Sequence, residues 1–425
     1  MMRKILFVDD VQHVLQGLKR MLRPMRHEWD MEFAASGEEA LKILAENPFD
    51  IVVSDMRMPG MDGVELLGLV MERYPETVRI ILSGHSDNDM ILRSVKIAHQ
   101  FLMKPCDAET LKNTIQRTCS LQDLLNSKTL KRIVAGIKDL PSLPILYGLI
   151  VEEMQSPDAS LKKVGDIISK DVSMSAKVLQ LVNSAFFGLP REITDPQQAA
   201  VYLGVDTLKA LVLSIHVFSS FSEDADIYGA SLADMWRHCM LTGKLARNIA
   251  HNEFADKKVE DDALIAGILH DVGKLILLKL PEQYKQINDF IVNNGVDHVN
   301  AEYAILKTTH AELGGCLLGL WGIPGNIVEA VAFHHNPSKL LENMSIIETP
   351  ENLKTNDSHS SPRSINKDST EFAVMTSVHV ANSLVKQENC SSDTTVSQYV
   401  DMKYLRALNL TDKLPEWAEC CKNIT

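Results

Sequence analysis

The sequence predicts two regions of different class: a parallel α/β sheet domain at the N-terminus and an all-α region after it. Three observations carry this. Short apolar runs alternate with helical patterns over the first 125 residues. That alternation stops near residue 145 and helical spacing takes over. Acidic residues and one lysine fall at the ends of the apolar runs, where α/β sheets place their chemistry.

The apolar runs lie near 4–8, 31–35, 50–54, 78–83 and 100–103, each followed by a helix pattern. The pattern Ser36-Gly37-Glu38-Glu39-Ala40-Leu41 has Ser36 as a helix N-cap. Five βα units in this length predict a doubly wound, flavodoxin-like parallel five-stranded domain over 1–125. Its last helix pattern, from about Asp107, hardly breaks, so a helical linker is expected over 126–140. Leu140-Pro141-Ser142-Leu143-Pro144 marks a turn into the second domain, expected over 141–390 with ten or more helices. Spacings such as Val164-Ile167-Ile168 and Val178-Leu179-Leu181-Val182 support helix there. The stretch 349–370 is polar with few aliphatics and reads as a disordered insertion; helix resumes at Glu371, and 391–425 reads as a C-terminal tail.

Composition narrows the function classes. With 425 residues, two or three domains are expected, and 45% hydrophobic with 23% charged residues is globular. The net charge of -13 argues against nucleic acid as a generic partner, and no basic recognition helix follows residue 125. The chain opens Met-Met-Arg-Lys straight into a strand pattern, with no signal peptide, and no run reaches the ~18 apolar residues of a membrane span. Seven cysteines without a C-x-x-C pair read as reduced thiols, so a cytoplasmic protein is expected.

The strand ends carry the first constellation. Asp9 and Asp10 follow Lys4-Ile5-Leu6-Phe7-Val8, Asp55 follows Ile51-Val52-Val53-Ser54, and Lys104 follows Gln100-Phe101-Leu102-Met103. Three carboxylates and a lysine suit Mg²⁺ and a phosphoryl group. Asp10 and Asp55 are read as direct Mg²⁺ ligands, Asp9 as a ligand through water, and the Arg57 backbone carbonyl as a further ligand. Lys104 would pair with Asp55 at rest and with phosphate afterwards. Ser83 could donate to a phosphate oxygen, and Phe101 could swing between buried and exposed positions. Asp55 with Met58-Pro59-Gly60-Met61-Asp62-Gly63, Leu82-Ser83-Gly84-His85 and Lys104-Pro105 completes the set.

Residues 3–120 resemble the receiver domain of two-component response regulators. The resemblance implies phosphorylation of Asp55 by a histidine kinase or phosphotransfer protein. It also implies a face, around the fourth helix, fifth strand and fifth helix, that reorganises and through which two copies could pair.

The second constellation is histidine-rich. Ala263-Leu264-Ile265-Ala266-Gly267-Ile268-Leu269 leads into His270-Asp271, a pair that burial obliges to find a partner or a metal. His238, His310 and the pair His334-His335 are further candidates; imidazole and carboxylate suit Zn²⁺, Mn²⁺ or Fe²⁺. Adjacent helical residues diverge by ~100°, so one of His334 and His335 would ligate and the other face elsewhere. His251 and His298 lie in polar surroundings and read as surface.

The span 130–390 resembles an HDOD domain, the output domain related to HD metal phosphohydrolases. Leu140 to Pro144, Leu181 to Gly188, Ala199 to Gly204, His310 to Gly314, Trp321 to Pro324 and His334-His335 carry the resemblance. It implies that Lys274 faces substrate phosphate as a candidate catalytic residue. Two departures stand out. Asn382 takes the place of the aspartate that closes the first metal site in HD proteins, and Asn336-Pro337-Ser338-Lys339 replaces the Gly-Tyr-Pro signature of HD-GYP phosphodiesterases. The expected function is a phosphorelay switch whose output domain binds a protein or nucleotide ligand. The alternative is a receiver-regulated, metal-dependent phosphohydrolase acting on a nucleotide or cyclic dinucleotide.

Overall fold

The computed structural model describes residues 2–83, 97–104, 109, 111–112, 114–115, 145–156, 158–183, 193–219, 221, 226–341, 370–389 and 399–422. They pack as two compact units. One comprises Met1–Ser175, Asp195–Val201 and Leu317–Ile323; the other comprises Ala176–Thr194, Tyr202–Cys316 and Pro324–Thr425. The expected linker at 126–140 and the polar insertion up to 369 lie outside the described residues.

In the first unit β1 (Arg3–Val8), β2 (Trp29–Ala34), β3 (Ile51–Asp55), β4 (Val78–Ser83) and β5 (Gln100–Met103) form one sheet in the order β2-β1-β3-β4-β5. Every pairing is parallel, as the five-stranded expectation required. Alternate residues feed two cores: Ile5, Phe7, Ile51, Val53 and Ile80 on one face, and Leu6, Val8, Val52 and Ile81 on the other. Strands covered on both faces read as continuous apolar runs. Helices α1 (Gln12–Met21), α2 (Gly37–Glu46) and α3 (Gly63–Arg73) connect β1 to β4 in turn. The Ser36 hydroxyl accepts from the Glu39 N–H at 3.2 Å, so the sequence-read N-cap is in place. Asp62 and Glu65 form a capping box at the start of α3. A Cβ on Gly63 would lie 2.0 Å from the Asp55 carbonyl oxygen. Glycine there lets α3 begin directly against the end of β3. The sheet order reverses between β1 and β3, which places Asp9 and Asp55 at the switch-point crevice.

Four further helices precede the long ones: α4 (Ile145–Gln155), α5 (Leu161–Ser169), α6 (Val172–Val182) and α7 (Pro196–Leu203). The second unit is then built from α8 (Val205–Ser219), α9 (Leu232–Phe254), α10 (Lys257–Leu269), α11 (Val272–Leu277), α12 (Pro281–Asn294), α13 (His298–Leu306), α14 (His310–Leu320), α15 (Gly325–Phe333) and α16 (Thr370–Asn389). The all-α expectation needs one correction: β6 (Asp226–Ile227) and β7 (Ala230–Ser231) form a small antiparallel hairpin. Its turn residues Tyr228 and Gly229 have φ of 55° and 83°, the two left-handed positions of a type I′ turn.

Close helix approach positions the site. A Cβ on Gly267 would lie 2.6 Å from Gly243 Cα, so α9 and α10 touch backbone to backbone. The short connection makes them antiparallel, and His238 and His270 fall at the same end of the crossing. A Cβ on Gly273 would lie 1.8 Å from the His310 carbonyl oxygen, so α11 presses on the start of α14. The segment expected as a tail contains two helices, α17 (Met402–Ala407) and α18 (Leu414–Lys422). Trp417 of α18 is fully buried and its Nε1–H donates to Glu253 of α9 at 3.1 Å. Among the described residues no helix is long and apolar enough to cross a membrane.

Candidate metal centre

The sheet crevice assembles Asp9, Asp55 and Lys104. The Lys104 ammonium lies 2.7 Å from Asp9 Oδ2 and 2.6 Å from Asp55 Oδ1. Burial raises the Asp55 pKa, opposed by the Lys104 ammonium. Burial alone would lower that of Lys104, but its hydrogen bonds to Asp55 and Asp9 outweigh it and the value rises. Asp10 is half-buried beside Asp9, and Arg57 is exposed in the loop after β3. Ser83 ends β4 and Phe101 lies in β5, at the positions read from the sequence; their side chains lie outside the described residues.

In the helical unit, histidines from four elements converge on Asp271. His310, His334, His335 and Asp271 offer one donor atom each within 4.8 Å of one another, and His238, His270 and Asp271 form a second such group. Asp271 is shared, one oxygen to each group. Its Oδ2 lies 3.3 Å from His270 Nε2 and 3.8 Å from His238 Nε2. Its Oδ1 lies 3.2 Å from His310 Nε2 and 3.8 Å from His334 Nε2. Asn382 Oδ1 lies 3.1 Å from His238 Nε2, so the amide occupies the closing position read from the sequence. Lys274 donates to Asp271 Oδ2 at 2.6 Å.

Both His334 and His335 face the centre, against the expectation that only one would. Helix α15 ends at Phe333 with His334 as its C-cap, so the ~100° helical divergence no longer applies at His335.

The ring orientations suit metal binding. His270 Nδ1 and His334 Nδ1 each lie 2.7 Å from a carbonyl oxygen, of Gly267 and Val331, and His310 Nδ1 lies 2.8 Å from Glu302. These contacts require N–H at Nδ1, which leaves each Nε2 lone pair facing Asp271. His310 and His335 Nε2 atoms are 3.1 Å apart, and those of His238 and His270 are 3.2 Å apart. Two nitrogens ~2.1 Å from one ion lie roughly 3.0–3.4 Å from each other. Protons could bridge these pairs, and His310 Nε2 could carry one to Asp271 Oδ1 at 3.2 Å, but His334 Nε2 is buried with no hydrogen-bond partner. A buried orphaned acceptor of this kind is rare without a ligand. The donor set therefore fits two divalent ions, held by His238, His270, Asp271 and Asn382, and by Asp271, His310, His334 and His335.

The electrostatics agree for three of the histidines, and His310 goes the other way. Burial pushes His238 down to about 3 and His334 and His335 well below the usual imidazole range, so all three are neutral and able to ligate. Burial would raise Asp271, but His270 and Lys274 hold its carboxyl well below the usual range. Burial opposes charge on His310 too, yet the Glu302 carboxylate raises its pKa.

Sequence reasoning missed three residues. His298, expected at the surface, has a buried Nε2, and its ring stacks on His310 at 5.5 Å. Glu302 is fully buried and holds both the N–H and the ring of His310. Tyr228 donates to Glu302 at 2.7 Å. The i,i+4 spacing of His298 and Glu302 was the available signal, since it puts both on one face of α13. His251, by contrast, is exposed and paired with Glu260 at 2.8 Å, as the surface reading expected. His379 is buried but satisfied, contacting the His334 carbonyl and accepting from the Asp401 N–H.

The response regulator receiver domain family matches residues 5–116, and the HDOD domain family matches residues 140–337. The chain joins a receiver domain to an HDOD domain. An uncharacterized protein of Treponema pallidum is 26% identical over 211 residues, which is 49% of this chain and 40% of that one. The hydrogenase transcriptional regulatory protein HoxA of Cupriavidus necator is 35% identical over 122 residues, 28% of this chain and 25% of its own. The chain thus spans well under half the length of these relatives. An HDOD domain protein of unknown function from Geobacter sulfurreducens aligns with a TM-score of 0.50 at 16% identity, covering 72% of this chain and 99% of that one. A putative phosphohydrolase from Shewanella amazonensis aligns with a TM-score of 0.50 at 20% identity, covering 71% and 95%. At these identities the two structures speak for the fold of the HDOD domain alone.

Proposed function

We propose that phosphorylation of Asp55 controls a two-metal centre in the HDOD domain that binds and hydrolyses a phosphoester. The receiver makes the chain a response regulator, with histidine kinases as the class of phosphodonor. In the receiver Asp55 attacks the phosphohistidine phosphorus, the P–N bond breaks, and the freed imidazole leaves on the donor. Asp9, Asp10 and Asp55, with the Arg57 carbonyl, would hold Mg²⁺, which neutralises charge on the transferring group. Lys104 already touches Asp55 and is within reach of a phosphate formed there; Ser83 and Phe101 retain their proposed switch roles.

One observation carries the output reading: His334 Nε2 is buried without a hydrogen-bond partner and faces Asp271 Oδ1 at 3.8 Å, among donors that converge within 4.8 Å. Divalent ions in such a set act as Lewis acids toward phosphate and water. The chain's own residues do the rest. Asp271 ties the two donor sets together. Lys274 is placed to exchange its bond to Asp271 for one to the phosphoester. Glu302 fixes the His310 ring, so its Nε2 stays turned inward. A nucleotide or cyclic dinucleotide fits this chemistry. A second reading, binding of a protein or nucleotide without turnover, draws support from Asn382, whose neutral amide is a weaker ligand than a carboxylate.

The test is metal analysis of the full chain, with turnover of a generic aryl phosphodiester and a cyclic dinucleotide, before and after acetyl phosphate. Two ions per chain and turnover lost in His270→Ala are expected, with the acetyl phosphate response absent in Asp55→Asn. Protein free of metal in both states would sink the two-metal reading; bound metal without turnover would favour the second reading.

A further inference from the structure

Lys386 has no part in the two donor sets, yet it belongs to the same pocket. It lies in the last turn of α16, four residues after Asn382, so the two side chains share one helix face a turn apart. Asn382 reaches His238 Nε2 at 3.1 Å. Helix α16 packs against α9, α10 and α15, the helices that carry His238 or run into His270 and His334. The Lys386 side chain is half-buried, and it makes no hydrogen bond or ion pair among the described residues.

The carboxylates around it are engaged elsewhere. Asp271, Glu302 and Asp297 are acidic groups whose charge acts on Lys386. Asp271 accepts from Lys274 at 2.6 Å, and Glu302 accepts from the His310 N–H and from Tyr228 at 2.7 Å. Asp297 caps α13, accepting from the Asn300 N–H at 2.8 Å and its Nδ2 at 2.7 Å. The Lys386 charge acts in turn on His238, His298, His335 and His379, so its ammonium is held toward the histidine cluster. A half-buried lysine is ordinarily paired or turned to solvent. One held unpaired costs stability, and departures of this kind collect at functional sites.

We infer that Lys386 binds the second negative charge of a doubly charged phosphate ligand, whose first charge falls to Lys274 and the metal centre. The inference rests on the phosphoester reading of this centre and names its ligand class. A single phosphodiester group has one charge and two terminal oxygens, and Lys274 beside a metal centre suffices for it. A further ammonium on the Asn382 face suits a ligand with one more charge. Two sources share that chemistry: the dianion of a phosphomonoester and the two phosphates of a cyclic dinucleotide. Lys386 holds either by a charge-assisted hydrogen bond and so orients it.

The test is calorimetric binding of three probes to the full chain, with its metal content measured alongside. The probes are inorganic phosphate, a phosphorothioate cyclic dinucleotide, and dimethyl phosphate as a singly charged diester, at about pH 7.5 so that phosphate is mostly a dianion. Lys386→Met is expected to weaken phosphate or the cyclic dinucleotide roughly ten- to hundredfold, to change dimethyl phosphate by no more than about threefold, and to leave the metal content unaltered. Lys386→Arg is expected to retain binding, and Lys386→Gln is read in place of the methionine variant if that one does not fold. Whichever doubly charged probe binds the unsubstituted chain more tightly names the source. Unchanged binding of both doubly charged probes, or an equal loss for dimethyl phosphate, would overturn the inference. A chain that takes up no metal yet binds phosphate through Lys386 would end the two-metal reading and leave this one standing. A metal-loaded chain that binds none of the probes would overturn both.

Discussion

Replacing Asn382 by aspartate exchanges an amide for a carboxylate of the same shape. The side chain is buried, with its oxygen 3.1 Å from His238 Nε2. Asp271 Oδ2 lies 3.8 Å from the same nitrogen, so the two acidic groups would stand at most ~7 Å apart. At an effective dielectric near 20, two such charges repel by about 2 kcal/mol. Without metal, Asn382→Asp is therefore expected to destabilise the HDOD domain by about 2 kcal/mol. For a domain of this size that lowers its melting transition by roughly 4–8 °C. With metal the sign reverses. A charged ligand in place of a neutral one is expected to tighten the first site at least tenfold, and each tenfold adds about 1.4 kcal/mol of stability at saturation. The assay is thermal unfolding of both proteins in chelator and in saturating Mn²⁺ or Zn²⁺, with affinity by chelator competition. An equal shift in both conditions, or unchanged metal affinity, would refute a metal site at Asn382.

Lys386→Met tests the charge of the pocket. Burial, with Lys274 nearby, pushes the Lys386 ammonium down to about 8. The folded protein then binds fewer protons than the unfolded chain between about pH 8 and 10.5, so the cost of charging Lys386 is full below 8 and fades as pH rises. Lys386→Met should stabilise by about 1–2 kcal/mol at pH 7, after discounting for residual solvent, and by nothing near pH 11; a gain independent of pH in denaturant titrations would contradict this. Glu302→Gln keeps an acceptor for His310 but removes the charge that raises its pKa. Second-site affinity should fall about ten- to hundredfold while the first site is untouched, as measured by titrating each site alone.

Much of this protein was legible in its residues because the chemistry follows local rules. A carboxylate at the end of a buried strand can be located from the apolar run before it, which is how Asp9, Asp10 and Asp55 were found. His270-Asp271 announced itself by interrupting an apolar helix. Asn382 was placed through the resemblance and then found in contact with His238. His298 and Glu302 escaped because their segment is polar, and their partners, Tyr228 of the hairpin and His310 at the start of α14, come from other elements. The Tyr228 hairpin escaped because its strands are two residues long, too short for an alternating pattern to register. The pairing of His334 with His335 hinged on where α15 ends, and helix ends are the least certain part of any sequence reading.

The 2.6 Å bond between Lys274 and Asp271 bears on how the protein matures. A buried carboxylate with no counter-charge costs several kcal/mol, a large part of a domain's net stability. Lys274 is a resident counter-charge. On the two-metal reading, it would let the newly made chain complete its core before any ion is bound, with metal binding as an exchange of one cation for another. Folding and metallation would then be separate events.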